Sequence, residues 1–155
     1  RADQPDRWES LGDGDGWWCS GDQAALTPSL QIVGRIDGAI HSGGETVFPE
    51  QLEVRLMAAL QAASLPVSAV LLLGVADPEW GQRLVALIRL EEGPAPMHEW
   101  SRLEGRLRAI TTPWMPAERP TAWYHCAELE PTAAGKWQRQ RWQNWLQAQD
   151  SAQVT

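Results

Sequence analysis

At 155 residues the chain has the length of one ordinary domain, or of a small domain joined to part of another. A hydrophobic fraction of 43% suffices for a packed core and excludes a disordered tail, and ten of the twelve aromatic residues are Trp. The net charge of −7 argues against a protein that grips a nucleic-acid backbone, which needs clustered Lys and Arg.

The stretch from Arg1 to Gly16 is polar and glycine-rich and reads as a flexible lead-in. Two short apolar runs, Trp17 to Ser20 and Leu30 to Val33, are separated by Gly, Asp, Thr-Pro and Ser, which predicts a hairpin with a longer loop. Gly34, Gly38, Gly43 and Gly44 follow within eleven residues, so the backbone there bends repeatedly or approaches something closely. A first helix opens at Pro49, with Glu50 and Glu53 at the positive end of its dipole. Leu52, Leu56, Met57, Leu60 and Ala63 give it one apolar stripe, and Pro66 follows its end. Val67 to Ala76 is a continuous apolar run expected of a buried strand; at ten residues it falls short of the ~18 that a membrane span requires. Asp77 to Gly81 is turn chemistry, and Leu84, Ala86, Ile88 and Leu90 mark a second strand. Met97, Trp100, Leu103, Leu107 and Ile110 are spaced as a second helix, stopped by Pro113 and Pro116. Thr121 to Leu129 reads as a further strand, and Trp137 to Gln147 as a last helix with Trp142, Trp145 and Leu146 on one side. The fold class predicted by this order is α+β, a small antiparallel sheet flanked by helices and preceded by a hairpin.

Several standard chemistries fail on the residues. Cys19 and Cys126 alone exclude a disulfide framework and an all-cysteine zinc site. Asp13-x-Asp15 begins like a calcium loop, but Trp18 stands where Gly is required and Ala24 where Glu is needed. Gly135-Lys136 lacks the upstream Gly and the following Ser or Thr of a P-loop, and Ile40 replaces the first Gly of a nucleophile elbow around Ser42. His41, His98 and His125 lie far apart, without metal-ligand spacing. The chain does not open with Met and has no leader pattern, so it is expected to be a soluble, cytoplasmic protein and an excised piece of a longer one.

What remains are two polar, glycine-bearing clusters. In the first, Asp22 follows a Gly turn, where a carboxylate can accept both hydroxyls of a ribose, and Arg35 can offer a forked set of donors to phosphate or sugar oxygens. Gly43-Gly44 lets the backbone approach a ligand. In the second, Pro131 to Lys136 is a loop carrying one Lys before a helix, a movable positive charge suited to phosphate charge that develops in a transition state. Taken singly, each feature has a bland reading as a turn, a solvated Arg or a helix lead-in.

In this order the stretches resemble the C-terminal portion of the adenylate-forming acyl-CoA synthetase superfamily, which also holds luciferases and nonribosomal peptide adenylation domains. Gly16-Trp17-Trp18-Cys19-Ser20-Gly21-Asp22 resembles the family's GW-x-x-TGD. Ile32 to Glu53, containing Gly34-Arg35-Ile36-Asp37 and Ser42-Gly43-Gly44-Glu45, resembles GR-x-DD-x-I-x-SGGENI-x-P-x-EIE. Gly74 to Gln82 is similar to the GVPD-x-x-x-G turn, and Pro131 to Arg139 to the P-R-T-x-x-GK-x-x-R loop. The match runs from about Gly16 to Trp145. Within the superfamily, the wording from Gly43 to Glu50 and the Trp-rich end are similar to the 2-succinylbenzoate–CoA ligases of phylloquinone and menaquinone biosynthesis.

The resemblance implies that Asp22 binds the ribose hydroxyls, Arg35 contacts the nucleotide, and Asp37 is the hinge about which a mobile domain swings. It implies that Lys136 is catalytic for adenylation, and that Ser42, Gly43 and Gly44 line the CoA side after rotation. It further implies ATP, Mg²⁺ and CoA as reactants of the whole enzyme, with a small aromatic carboxylic acid as substrate. Residues 1–33 are then the end of a large N-terminal domain, 34–150 the mobile domain and 151–155 a tail. The large domain is the implied partner, and this piece alone is expected to be inactive. There are departures: Gly38 stands where the family carries a second charged residue, His41 has no role assigned, and no Arg separates Pro131 from Thr132. Cys19 replaces a family residue and is read as packing. Two other readings stay open: a peptide-synthetase adenylation domain or another acyl-CoA synthetase, and an interaction module that kept the fold and lost the chemistry.

Overall fold

The computed structural model describes residues 15, 20–26, 28–91 and 97–153; of residues 33, 37, 97 and 150–153 it describes the backbone alone. A hairpin is present, with its second strand where the sequence predicts it. Its strands are β1 (Asp22–Leu26) and β2 (Leu30–Arg35), paired antiparallel with Leu26 opposite Leu30, so the connection is short where a longer loop was predicted. Of the predicted first run, Trp17 to Ser20, residues 17–19 fall outside the described residues. The glycine-rich stretch resolves into a 3-10 turn (Ile36–Gly38) and a hairpin of two three-residue strands, β3 (Ile40–Ser42) and β4 (Glu45–Val47), which the sequence reading missed.

Helix α1 (Pro49–Ala62) starts at the predicted proline and buries Leu52, Leu56 and Leu60 along one face. It ends in a Schellman pattern, with the Leu65 N–H on the Leu60 carbonyl and the Ser64 N–H on the Gln61 carbonyl, both at 3.0 Å. Ser64 takes the left-handed position (φ 50°) usually given to Gly, and Pro66 prevents any continuation.

Strands β5 (Val67–Asp77) and β6 (Gly81–Leu90) are paired antiparallel over their length and form the centre of the molecule. The apolar run of β5 is continuous because the strand is covered on both faces. Val67, Val70 and Leu72 join Leu56 and Leu60 of α1, together with Leu103 and Leu107 of α2 (Met97–Thr111). Ala69, Leu71 and Leu73 join Trp142 and Leu146 of α3 (Arg139–Gln153) on the other face. The result is three layers, α1 and α2, then the sheet, then α3. Each of the fully buried Leu side chains contributes about 1.5–3 kcal/mol of transfer free energy.

The five-stranded sheet has the order β4-β3-β6-β5, and the seventh strand, β7 (Ala122–His125), also pairs with β6. The β6–β7 pair is parallel, because α2 carries the chain back across the sheet. The expected strand to Leu129 therefore stops at His125. A turn closed by the Leu129 N–H on the Cys126 carbonyl then sends Leu129 and Cys126 into the core beneath α3. Helix α3 starts two residues later than Trp137 and runs to Gln153, beyond the predicted Gln147. Trp142 is buried there, as expected of a core residue.

Candidate functional site

Asp22 and Arg35, thirteen positions apart, are direct cross-strand partners in the β1–β2 pair. Gly21 supplies the positive φ of 73° at this turn, where a Cβ would be in ordinary contact with Nη2 of Arg35 at 3.7 Å. The turn is fastened by the Ile36 N–H on the Gly21 carbonyl at 2.8 Å, and the Asp22 N–H donates to the Ser20 hydroxyl at 3.2 Å. The fold thus gathers the predicted carboxylate and guanidinium at one hairpin end, beside the 3-10 turn that holds Asp37. Asp37 is placed by its backbone alone.

Gly34 connects this hairpin to the rest of the domain. Its hydrogen faces the Phe48 ring so closely that a Cβ would sit 2.6 Å from Cδ1. Phe48 immediately precedes α1, so β2 and the start of that helix are in contact across a glycine.

Ser42, Gly43 and Gly44 occupy the β3–β4 turn. Gly43 (φ 59°) and Gly44 (φ 87°) both take the left-handed conformation that a two-residue hairpin turn requires. The Gly43 N–H donates to the Trp80 carbonyl at 2.9 Å, and the Trp80 indole lies on Gly43, where a Cβ would come within 2.5 Å of the ring. Asp77 fixes Trp80 in turn, accepting its N–H at 2.8 Å, and the Arg83 guanidinium stacks 4.3 Å from the Trp80 ring centre. Gly44 has nothing within 4 Å of its Cβ position. Ser42 is fully buried and its hydroxyl has no hydrogen-bond partner, so this segment presents glycine backbone to the outside and not the serine side chain.

The loop before α3 is closed on itself. The Gly135 N–H donates to the Thr132 carbonyl (2.8 Å), the Thr132 N–H to the Lys136 carbonyl (2.8 Å), and the Lys136 N–H to the Thr132 hydroxyl (3.2 Å). Gly135 supplies the positive φ of 74° that this closure needs. Lys136 projects from it exposed, and its ammonium makes no ion pair with the described residues. It is also the only lysine in the sequence, all other basic side chains besides the histidines being arginine.

Two residues important to this loop carried no such role in the sequence reading. Arg139, the first residue of α3, donates from Nη1 to Oε1 of Glu53 (2.9 Å) and to the Leu72 carbonyl (2.7 Å). Its Nη2 donates to Oε2 of Glu53 (3.1 Å) and Oε1 of Glu50 (3.2 Å). Glu53 also accepts the Leu72 N–H at 2.8 Å. Because β5 is an edge strand, the Glu53–Arg139 pair takes both backbone groups of Leu72, as a neighbouring strand would. Burial pushes the Glu53 carboxyl above its ordinary range, while Arg139 and the Leu72 N–H pull it down. The dipole position explains exposed Glu50, but Glu53 lies four residues before Met57 and seven before Leu60, a spacing that already put it on the inward face. A groove of about 670 Å³ runs beside this pair, with Pro131 and Trp137 from the loop facing Val54 and Met57 from α1.

Among the described residues no three or more His, Cys, Asp or Glu side chains gather as a metal site, and no helix is long and apolar enough to cross a membrane.

No family model matches the chain. It is similar to the 2-succinylbenzoate–CoA ligase of Escherichia coli (strain K12), 34% identical over 110 residues, covering 67% of this chain and 23% of that protein. It is also similar to the 4-chlorobenzoate–CoA ligase of Pseudomonas sp. (strain CBS-3), 32% identical over 126 residues, covering 81% of this chain and 22% of that protein. The chain therefore spans less than a quarter of the length of either relative. Among solved structures, the R195K variant of E. coli MenE with bound OSB-AMS matches 90% of this chain and 28% of that chain, with 31% identity and a TM-score of 0.58. The o-succinylbenzoate CoA synthetase of Bacillus subtilis, in complex with its acyl-adenylate intermediate, shares the fold at a TM-score of 0.66 and 23% identity, over 88% of this chain and 26% of that chain.

Proposed function

Because this chain belongs to the adenylate-forming acyl-CoA ligase family and corresponds to its C-terminal portion, we propose that it is the mobile domain of an ATP-dependent, AMP-forming acid–CoA ligase. The observation that carries this reading is Lys136, the chain's only lysine, held out on a self-bonded glycine loop with no ion pair to the described residues. In the first half-reaction a carboxylate oxygen attacks the α-phosphorus of ATP and pyrophosphate leaves. The Lys136 ammonium offsets the charge that develops there. In the second, the CoA sulfur attacks the acyl carbon, AMP leaves, and the thiol proton is lost to solvent.

Asp22 and Arg35, paired across the hairpin, are assigned to ribose and nucleotide, and Asp37 in the 3-10 turn to the hinge. After rotation about that hinge, the Gly43-Gly44 backbone faces the reacting thioester. Residues 1–33 are assigned to the large domain, 34–150 to the mobile domain and 151–155 to a tail. Leu26, Leu30, Ile32 and Ile36, each more than half exposed, give the hairpin an apolar face suited to packing against that large domain. The Mg²⁺ that accompanies ATP is assigned to the nucleotide and the large domain, since the described residues gather no ligand set for it. The acid is taken to be aromatic, 2-succinylbenzoate first, with the similarity to a 4-chlorobenzoate ligase favouring a substituted benzoate as the second reading.

The test uses a full-length ligase carrying this domain, as wild type and as Lys136→Ala, assayed for AMP release and thioester formation on a panel of acids including both benzoates. The expected result is turnover of 2-succinylbenzoate that collapses at adenylation in the variant. Turnover of another acid alone would remove the quinone-pathway substrate. A variant that adenylates normally would sink the reading of Lys136, and a protein that turns over no acid would favour the interaction module.

A further inference from the structure

We propose that Glu53 and Arg139 form a clamp that positions the Lys136 loop, making both of them positioning residues for adenylation; this rests on the reading of Lys136 given above. The loop, from Pro131 to Gln138, has two ends to be held. At its start, Leu129 is fully buried beneath α3. At its end, Arg139 is tied by four hydrogen bonds to α1 and to the edge of β5. Between these anchors, the loop's own bonds join Thr132, Gly135 and Lys136, the Gln138 carbonyl accepts the Trp142 N–H at 3.4 Å, and Trp137 packs partly buried against the core. To that packing Arg139, three residues beyond the lysine, adds directional bonds to α1 and the edge of β5.

The fork geometry suits this task. Arg139 meets both oxygens of Glu53 at once, and two parallel bonds fix the plane of the guanidinium as a single bond would not. Oε1 of Glu53 serves Arg139 and the Leu72 N–H together, so a shift of α3 along the sheet edge breaks several bonds in concert. Glu50 extends the clamp towards the proposed hinge: its Oε1 bonds Arg139 at 3.2 Å and lies 3.3 Å from where a Cβ on Gly38 would be. The lysine loop and the hinge turn are thus referred to the same end of α1.

Lys136 being the only lysine, a lysine-specific endoproteinase has a single site and reports the loop alone. Glu53→Gln keeps the two bonds of Oε1 but turns Oε2 into a donor facing Nη2 of Arg139, and Arg139→Gln removes the fork. In the native 155-residue chain, each variant is expected to speed cleavage after Lys136 by about tenfold, and the double variant is expected to be no faster than the quicker single one. Leu107→Ala, a core change in α2, is the control for general destabilisation and should not match this rate.

In a full-length ligase carrying the domain, Arg139→Gln is expected to slow adenylation by about 10- to 100-fold. Thioester formation from supplied acyl-adenylate should be unchanged. Unaltered cleavage, equal cleavage in Leu107→Ala, or an equal loss in both half-reactions overturns the clamp. Should Arg139→Gln fail to fold, Glu50→Ala, which removes only the outer bond, must still speed cleavage severalfold, and an unchanged rate overturns the clamp as well. If Lys136→Ala leaves adenylation intact, the reading of the lysine fails, while the cleavage rates still decide whether Arg139 holds the loop.

Discussion

Replacing Gly43 and Gly44 by alanine, one at a time, separates two costs that their shared turn combines. Both residues have positive φ, 59° and 87°, and an L-residue in that region loses about 1–2 kcal/mol. At Gly44 nothing else opposes a methyl group, since its Cβ position is open, so Gly44→Ala should cost about that much. At Gly43 the new Cβ would lie 2.5 Å from Cε3 and 2.7 Å from Cζ3 of Trp80. The indole has little freedom to yield. Its backbone accepts from Gly43 and donates to Asp77, and Arg83 covers the ring. Overpacking of that kind adds about 1–3 kcal/mol, for a total of about 2–5 kcal/mol. Urea denaturation of the 155-residue chain measures both losses. At about 2–4 °C per kcal/mol for a chain of this size, thermal melting should separate them as well. In a full-length ligase, Gly43→Ala should slow thioester formation from supplied acyl-adenylate while sparing adenylation. Equal destabilisation by the two variants would refute the contact with Trp80. A Gly43→Ala enzyme that forms thioester normally would refute the CoA-side role of the turn.

The carboxyl of Glu53 is raised above 4.5 by burial, so the folded state holds its proton more tightly than the unfolded chain does. That contribution to stability is complete below pH 4.5 and is lost as pH rises through the folded value. Wild type should therefore gain on Glu53→Gln as the pH falls from 7 towards 4.5 in denaturation experiments, and the opposite slope would mean that pairing with Arg139 outweighs desolvation. Burial, followed by the Glu128 carboxylate, pushes the Cys126 thiol up to about 11, leaving about one molecule in a thousand ionised at pH 8. With Cys19 replaced by serine, the native chain should resist iodoacetamide until denaturant is added, and rapid labelling of the folded chain would contradict the packing of Cys126 beneath α3.

The elements legible in the sequence were those with a strong period. The stripe of Leu52, Leu56 and Leu60 defined α1, and the double-sided burial of β5 wrote an unbroken apolar run. Strands β3 and β4 were not legible, because three residues carry too little pattern and the surrounding glycines signal bending more loudly than pairing. Strand β1 was read as loop since Asp22 to Leu26 has no alternation; its existence depends on β2, whose Arg35 it pairs. The parallel run of β7 depends on where α2 lands, which no local pattern encodes. At the candidate site, Asp22, Arg35, the glycine turn and Lys136 were visible as motifs. Their support was not read: Trp80 beneath Gly43 is a contact across the sheet, and Glu53, assigned only to the helix dipole, turns inward to meet Arg139.

That buried charge explains why the clamp belongs with function more than with stability. Taking a carboxylate out of water costs several kcal/mol, and a paired arginine seldom recovers more than the loss, so an apolar substitute of similar volume would serve the core about as well. What an apolar substitute cannot do is fix direction. A fork meeting both oxygens of Glu53, the Leu72 carbonyl and Glu50 leaves the start of α3 one orientation, and with it the lysine three residues earlier. The glycine turn lies at the other end of a three-residue hairpin, ~10 Å of strand away from the start of α1. A domain proposed to present these two faces in succession has to move as a single piece, or the rotation that delivers one face would be absorbed in the loop that carries the other. The three-layer core supplies stiffness to the body, Trp137 carries that packing into the exposed loop, and the clamp adds direction there.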